Sequence, residues 1–137
     1  AVAPRPAAPP ASGTETILLV EDDEAVRRLA RKVLEAKGYV VLEAEDGPRA
    51  VELARQSGSP IHLLVTDVVM PHVSGRAVAE QVRALRPGIK VLFLSGYTAE
   101  AVVQRGLLDA DTPFLEKPFT PAGLASKVRE VLDRPGR

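Results

Sequence analysis

Four groups of residues in this chain carry functional groups that could act together. They are the acidic run Glu21-Asp22-Asp23, the single Asp67, the hydroxyl of Ser95 and the ammonium of Lys117. Carboxylates crowded into one cleft raise each other's pKa unless a positive charge intervenes. A hard divalent cation meets that need, and magnesium takes oxygen ligands in an octahedron while keeping several waters. Glu21, Asp22 and Asp67 can supply carboxylate oxygens, and a loop carbonyl just after Asp67 can supply another. Lys117 would add a fixed positive charge and Ser95 a hydroxyl donor. A nucleophilic carboxylate, a metal, an ammonium and a hydroxyl can together hold the three equatorial oxygens of a phosphoryl group during in-line transfer.

These residues work together only if the chain brings them together, and the hydrophobic pattern predicts that it does. Ile17 to Val20 is a short apolar run that stops at the acidic residues. Val26, Leu29, Ala30, Val33 and Leu34 then fall at helical spacing, and Gly38 closes that helix. Tyr39 to Leu42 reads as a second strand, and Gly47-Pro48 opens a second helix carrying Ala50, Val51, Leu53 and Ala54. Leu63 to Val65 reads as a third strand ending at Asp67, followed by a loop and a helix with Val78, Ala79, Val82 and Leu85 on one face. Val91 to Leu94 is a fourth strand ending at Ser95, and Thr98 caps a short helix. Phe114-Leu115 is a brief fifth strand ending at Lys117-Pro118, and Thr120-Pro121 starts a last helix that buries Leu124, Val128, Val131 and Leu132.

Continuous apolar strands alternating with amphipathic helices predict a parallel sheet covered on both faces. Five such units suit the doubly wound order 2-1-3-4-5, in which the functional crevice lies beyond the carboxyl ends of the strands. All four groups sit at strand ends, so all four are expected at one edge of the sheet.

The motifs are Ile-Leu-Leu-Val-Glu-Asp-Asp, Leu-Val-Thr-Asp-Val-Val-Met-Pro with Gly75, Leu-Phe-Leu-Ser-Gly-Tyr and Phe-Leu-Glu-Lys-Pro-Phe. In that order they resemble the receiver domains of two-component response regulators, over about Thr16 to Leu132. The resemblance implies an α/β, (βα)5 flavodoxin-like three-layer sandwich. It implies that Asp67 is the phosphoacceptor, that Glu21 and Asp22 hold magnesium (or manganese in its place), and that the Val69 carbonyl is the backbone ligand. It makes Lys117 the phosphate-binding lysine, Ser95 the switch hydroxyl and Phe114 the switch aromatic, and it implies a cis bond between Lys117 and Pro118. The partner it implies is a histidine kinase or a histidine phosphotransfer protein. Two departures stand out. Val69 occupies a position that is polar or longer in many members, and Phe114 stands where others have Tyr, so no phenol hydroxyl is present.

Simpler readings accompany these. Alone, Asp67 would pass for a loop-capping residue, and Ser95 for a turn residue. Asp23 and Glu24 are expected to cap the first helix. His72 is read as an exposed loop residue and His62 as structural.

Other functions fit less well. An aspartyl-phosphate hydrolase needs a second Asp two residues past the nucleophile, where this chain has Val69. A flavodoxin-type cofactor loop would meet repulsion from Glu21-Asp22-Asp23, and no Walker or dinucleotide glycine pattern is present. The domain itself is therefore expected to catalyse only its own phosphorylation and dephosphorylation, although the parent chain could be a histidine kinase. A phosphorylation-independent binding module is the alternative from a different class; such modules usually lack Asp67 or Lys117, and both are present here. Lys plus Arg equals Asp plus Glu at 18 each, a poor footprint for nucleic acid. There are no cysteines, which excludes disulfides and thiolate metal sites and fits a cytoplasmic setting. No apolar run approaches the ~18 residues that span a bilayer, so the domain is not expected to contact membrane itself.

Residues 1–15 are rich in Ala and Pro and are read as a linker, 16–133 as the receiver and 134–137 as a tail. The linker and the Ser95-Gly96-Tyr97-Thr98 wording resemble the C-terminal receiver of a hybrid sensor histidine kinase, which would tether the domain to a membrane-bound kinase. A free-standing single-domain response regulator is the alternative.

Overall fold

The side chains of β1 (Thr16–Val20) alternate between two separate cores, and this alternation organises the molecule. Ile17 and Leu19 join one apolar cluster, while Leu18 and Val20 join another. The same division holds on β3 (Leu63–Asp67) and β4 (Lys90–Ser95). Leu63, Val65, Leu92 and Leu94 point to one face, and Leu64, Val91 and Phe93 to the other. A strand with period 2 and apolar residues on both sides has no solvent face, so helices must cover both. Fully burying one such leucine contributes about 2 kcal/mol.

The computed structural model describes residues 12–135. Residues 1–11 of the linker expected over 1–15, and the last two residues of the expected tail, lie outside the described residues. β2 (Val40–Ala44) and β5 (Phe114–Glu116) complete a five-stranded sheet in the order β2-β1-β3-β4-β5, parallel throughout. On one face lie α1 (Glu24–Ala36) and α5 (Pro121–Leu132), which bury Ala30, Val33, Leu34, Leu124 and Val128. On the other lie α2 (Gly47–Gln56), α3 (Gly75–Leu85) and α4 (Ala99–Gln104), which bury Ala50, Ala54, Val78, Val82 and Val102. This is the doubly wound, flavodoxin-like sandwich with the strand order expected. Among the described residues no helix is long and apolar enough to cross a membrane.

The helix starts follow local chemistry. Asp23, Thr98 and Thr120 cap α1, α4 and α5 as expected, each accepting backbone N–H bonds of the first turn. Asp46 and Ser74 do the same for α2 and α3.

β2 is displaced from the predicted 39–42. Gly38 turns the chain at φ +101°, and the Tyr39 N–H donates to Leu34 O at 3.2 Å, so its backbone belongs to the end of α1 and not to the ladder. The Tyr39 ring is buried in the α1/α5 core. At its other end β2 runs on through Glu43 to Ala44, which stay in register with Leu19 and Val20 of β1, while Arg27 and Arg31 pair with the Glu43 carboxylate.

Candidate functional site

The parallel sheet delivers each candidate side chain to its carboxyl edge. Glu21 leaves β1 with its N–H donated to Ala44 O at 3.1 Å. Asp67 is the last residue of β3 and Ser95 the last of β4. Lys117 follows β5, and its N–H donates to Ser95 O at 2.7 Å, which ties the two strand ends together. The Lys117–Pro118 bond is cis.

These residues converge. Lys117 Nζ donates to Asp67 Oδ1 at 2.9 Å and to Glu21 Oε1 at 3.1 Å. Asp67 is 3% exposed and Glu21 1%, whereas Asp22 is exposed. Glu21, Asp22 and Asp67 each offer an oxygen within 4.8 Å of the others. An all-oxygen set of carboxylates, partly buried and partly open, suits a hard divalent cation. Asp67, Val69, Ser95, Tyr97 and Lys117 line a common cavity of about 180 Å³. Ser95 is buried, and its Oγ accepts the Tyr97 N–H at 2.9 Å.

Phe114 does not line this cavity. It pairs with Phe93 across β4 and β5 and packs, half-buried, against the core on the α2/α3/α4 face. His62 lies at the opposite end of β3, where its Nδ1 accepts the Thr16 N–H at 3.0 Å. His72 is an exposed loop residue with φ +73°.

Two carboxylates here share one ammonium. Burial, followed by the neighbouring Glu21, pushes the Asp67 carboxyl up to about 8 despite its bond to Lys117. Lys117 is held above its ordinary value because its bonds to Asp67 and Glu21 outweigh its own desolvation. The two shifts are compatible, since the trio carries one negative charge in excess and a proton or a cation relieves it.

The sequence reading did not identify Arg27. Its Nη1 donates to the Glu21 carbonyl at 2.8 Å and its Nε to Glu43 at 3.2 Å. A signal was available, because a cation at the first turn of a helix opposes the macrodipole and calls for another explanation. Arg105 was also missed. Its guanidinium lies 4.6 Å from the centroid of the Tyr97 ring at the cavity mouth.

Comparison with known proteins agrees with this geometry. The family model described as "Response regulator receiver domain" matches residues 17–129. Sensor kinase CckA of Brucella abortus is 40% identical over 123 residues, covering 90% of this chain but 13% of the relative's length. Response regulator receiver protein CpdR of the same organism is 35% identical, covering 85% of this chain and 95% of the relative. The crystal structure of the receiver domain from hybrid histidine kinase CckA superposes with a TM-score of 0.73 at 36% identity, covering 86% of this chain and 99% of that one.

Proposed function

The chain belongs to the response regulator receiver domain family of two-component signalling, and we propose that it accepts a phosphoryl group from a phosphohistidine onto Asp67. A carboxylate oxygen of Asp67 attacks phosphorus, forming a P–O bond. The P–N bond breaks, and its electron pair leaves with the imidazole. Lys117 balances the charge that accumulates on the phosphoryl oxygens, and the Ser95 hydroxyl turns toward one of them. Glu21, Asp22, Asp67 and the Val69 carbonyl would hold magnesium, or manganese in its place. When bound, that cation supplies neutralising charge to the transferring group. The observation that carries this reading is the buried Asp67 carboxylate, 2.9 Å from Lys117 Nζ and beside two further acids.

The α4–β5–α5 face is proposed to carry the readout, with Ser95 and Phe114 as the switch pair. The proposed partner is a histidine kinase or histidine phosphotransfer protein, met in the cytoplasm. The receiver is proposed to span 16–133, and Gly13 and Glu15 add contacts to Lys37 O and Arg129 ahead of it. The match to CckA supports placement in a hybrid histidine kinase, although the chain spans only 13% of that relative. A free-standing receiver is the second reading, favoured by the match to 95% of CpdR.

The test is phosphate uptake from a small phosphodonor, read by mass spectrometry. Wild type with magnesium takes up phosphate, while Asp67→Asn and chelated wild type do not. Undiminished phosphate on Asp67→Asn overturns the assignment. No response of wild type to phosphodonor or beryllium fluoride favours a phosphorylation-independent binding module.

A further inference from the structure

Every polar group of Glu21 is held. Its N–H donates to Ala44 O, its Oε1 accepts from Lys117 and its Oε2 accepts the Asp23 N–H at 3.0 Å. The remaining group, the backbone carbonyl, accepts from Arg27 Nη1 at 2.8 Å. The same guanidinium donates through Nε to Glu43 on β2, and the second oxygen of Glu43 takes Arg31. Arg27 is 17% exposed, so this is a packed, two-pronged contact and not a solvated surface pair. It fastens the backbone where β1 gives way to α1, the point at which the acidic pair is displayed, to the neighbouring strand.

We infer that Arg27 is a positioning residue for the cation site, fixing Glu21 and Asp22 through the Glu21 carbonyl. The inference rests on the magnesium reading above. Two effects of Arg27 oppose each other. As a positive charge near the acidic cluster it repels a divalent cation, so its removal by charge alone tightens binding. As a brace it keeps the carboxylates in place, so its removal weakens binding. The sign of the change therefore separates the two. Partners that orient metal ligands from behind change affinity by roughly 10- to 100-fold when removed.

The experiment is a magnesium titration of the isotope-labelled chain, following the backbone amide shifts of Asp22, Asp67 and Val69. Arg27→Met is expected to raise the dissociation constant roughly tenfold. Arg31→Met removes a cation from the same helix and the same Glu43 but does not touch Glu21, so it leaves affinity unchanged or tighter. Arg27→Lys keeps the charge without the fork and falls between wild type and Arg27→Met. Thermal unfolding in chelator reports whether each variant folds, and if Arg27→Met does not, Arg27→Lys decides. Wild-type affinity in the folded Arg27 variant, or equal weakening in Arg31→Met, overturns the inference while leaving the magnesium reading in place. The absence of any saturable shift in wild type overturns the magnesium reading, and this inference with it.

Discussion

Gly75 opens α3 directly against the backbone of Asp67. A Cβ built on Gly75 would lie 1.8 Å from the Asp67 carbonyl oxygen and 2.8 Å from its carbonyl carbon. The Gly75 N–H meanwhile donates to Val68 O at 2.8 Å, which locks the approach. The glycine is therefore a steric condition for the candidate phosphoacceptor to sit where it does. Gly75→Ala forces α3 or the end of β3 to move and is expected to cost about 3 kcal/mol, as overpacking in a tight core does. Chemical denaturation checks the stability. Phosphate uptake by the folded fraction is expected to fall as well, because Asp67 is displaced. Wild-type stability and uptake in the alanine variant would mean that the loop relaxes without strain.

The switch prediction follows from the bonds around Ser95. Its Oγ accepts the Tyr97 N–H, and its carbonyl accepts the Lys117 N–H. An acyl phosphate on Asp67 is expected to draw the hydroxyl inward, with Phe114 on β5 following into the vacated space. This is a local change in charge biasing a two-state element. With beryllium fluoride, wild type is expected to show amide shift changes around Phe114 that Ser95→Ala loses. Identical changes in both proteins rule out the coupling.

The lifetime of a phosphoryl group on Asp67 is expected to depend on the two side chains at the cavity mouth. Val69 is 56% exposed and offers no hydrogen bond to orient a water. Tyr97 is 39% exposed and carries the Arg105 guanidinium over its ring. Self-dephosphorylation is expected to be slow. Val69→Asn supplies a polar group and Tyr97→Ala opens the approach, and each is expected to speed phosphate loss about tenfold, within the range of water-positioning effects. Phosphate release from the purified protein in magnesium measures this, and an unchanged rate in both variants removes both residues from the account.

Stability without metal is expected to fall as pH rises from about 4 toward about 8. The folded Asp67 carboxyl is raised to about 8 from 3.8, so over that window the native state keeps a proton that the unfolded chain has released. Folding stability then decreases with pH. Thermal unfolding in chelator between pH 5 and 8 is the measurement, with pH values chosen inside that window. Wild type is expected to lose more of its stability across the range than Asp67→Asn. Equal slopes in the two proteins contradict the raised value.

How much of this was legible beforehand depends on the range of each interaction. The five strand–helix units were readable because burial of a strand or helix face is written in local periodicity, and the caps Asp23, Thr98 and Thr120 act within three residues of themselves. Parallel pairing then places Asp67, Ser95 and Lys117 at one edge of the sheet, because all its strands run the same way. Local pattern misplaced β2, since the Tyr39 N–H finds its partner back in α1. Only the tertiary structure decided that Lys117 bonds both Asp67 and Glu21, 50 and 96 residues away in the chain. The same is true of Arg27, which grips a backbone atom and a β2 carboxylate, and of Gly75, whose need for no side chain comes from the backbone it abuts. Periodicity records which face of an element is buried, but not which atoms of other elements lie against it.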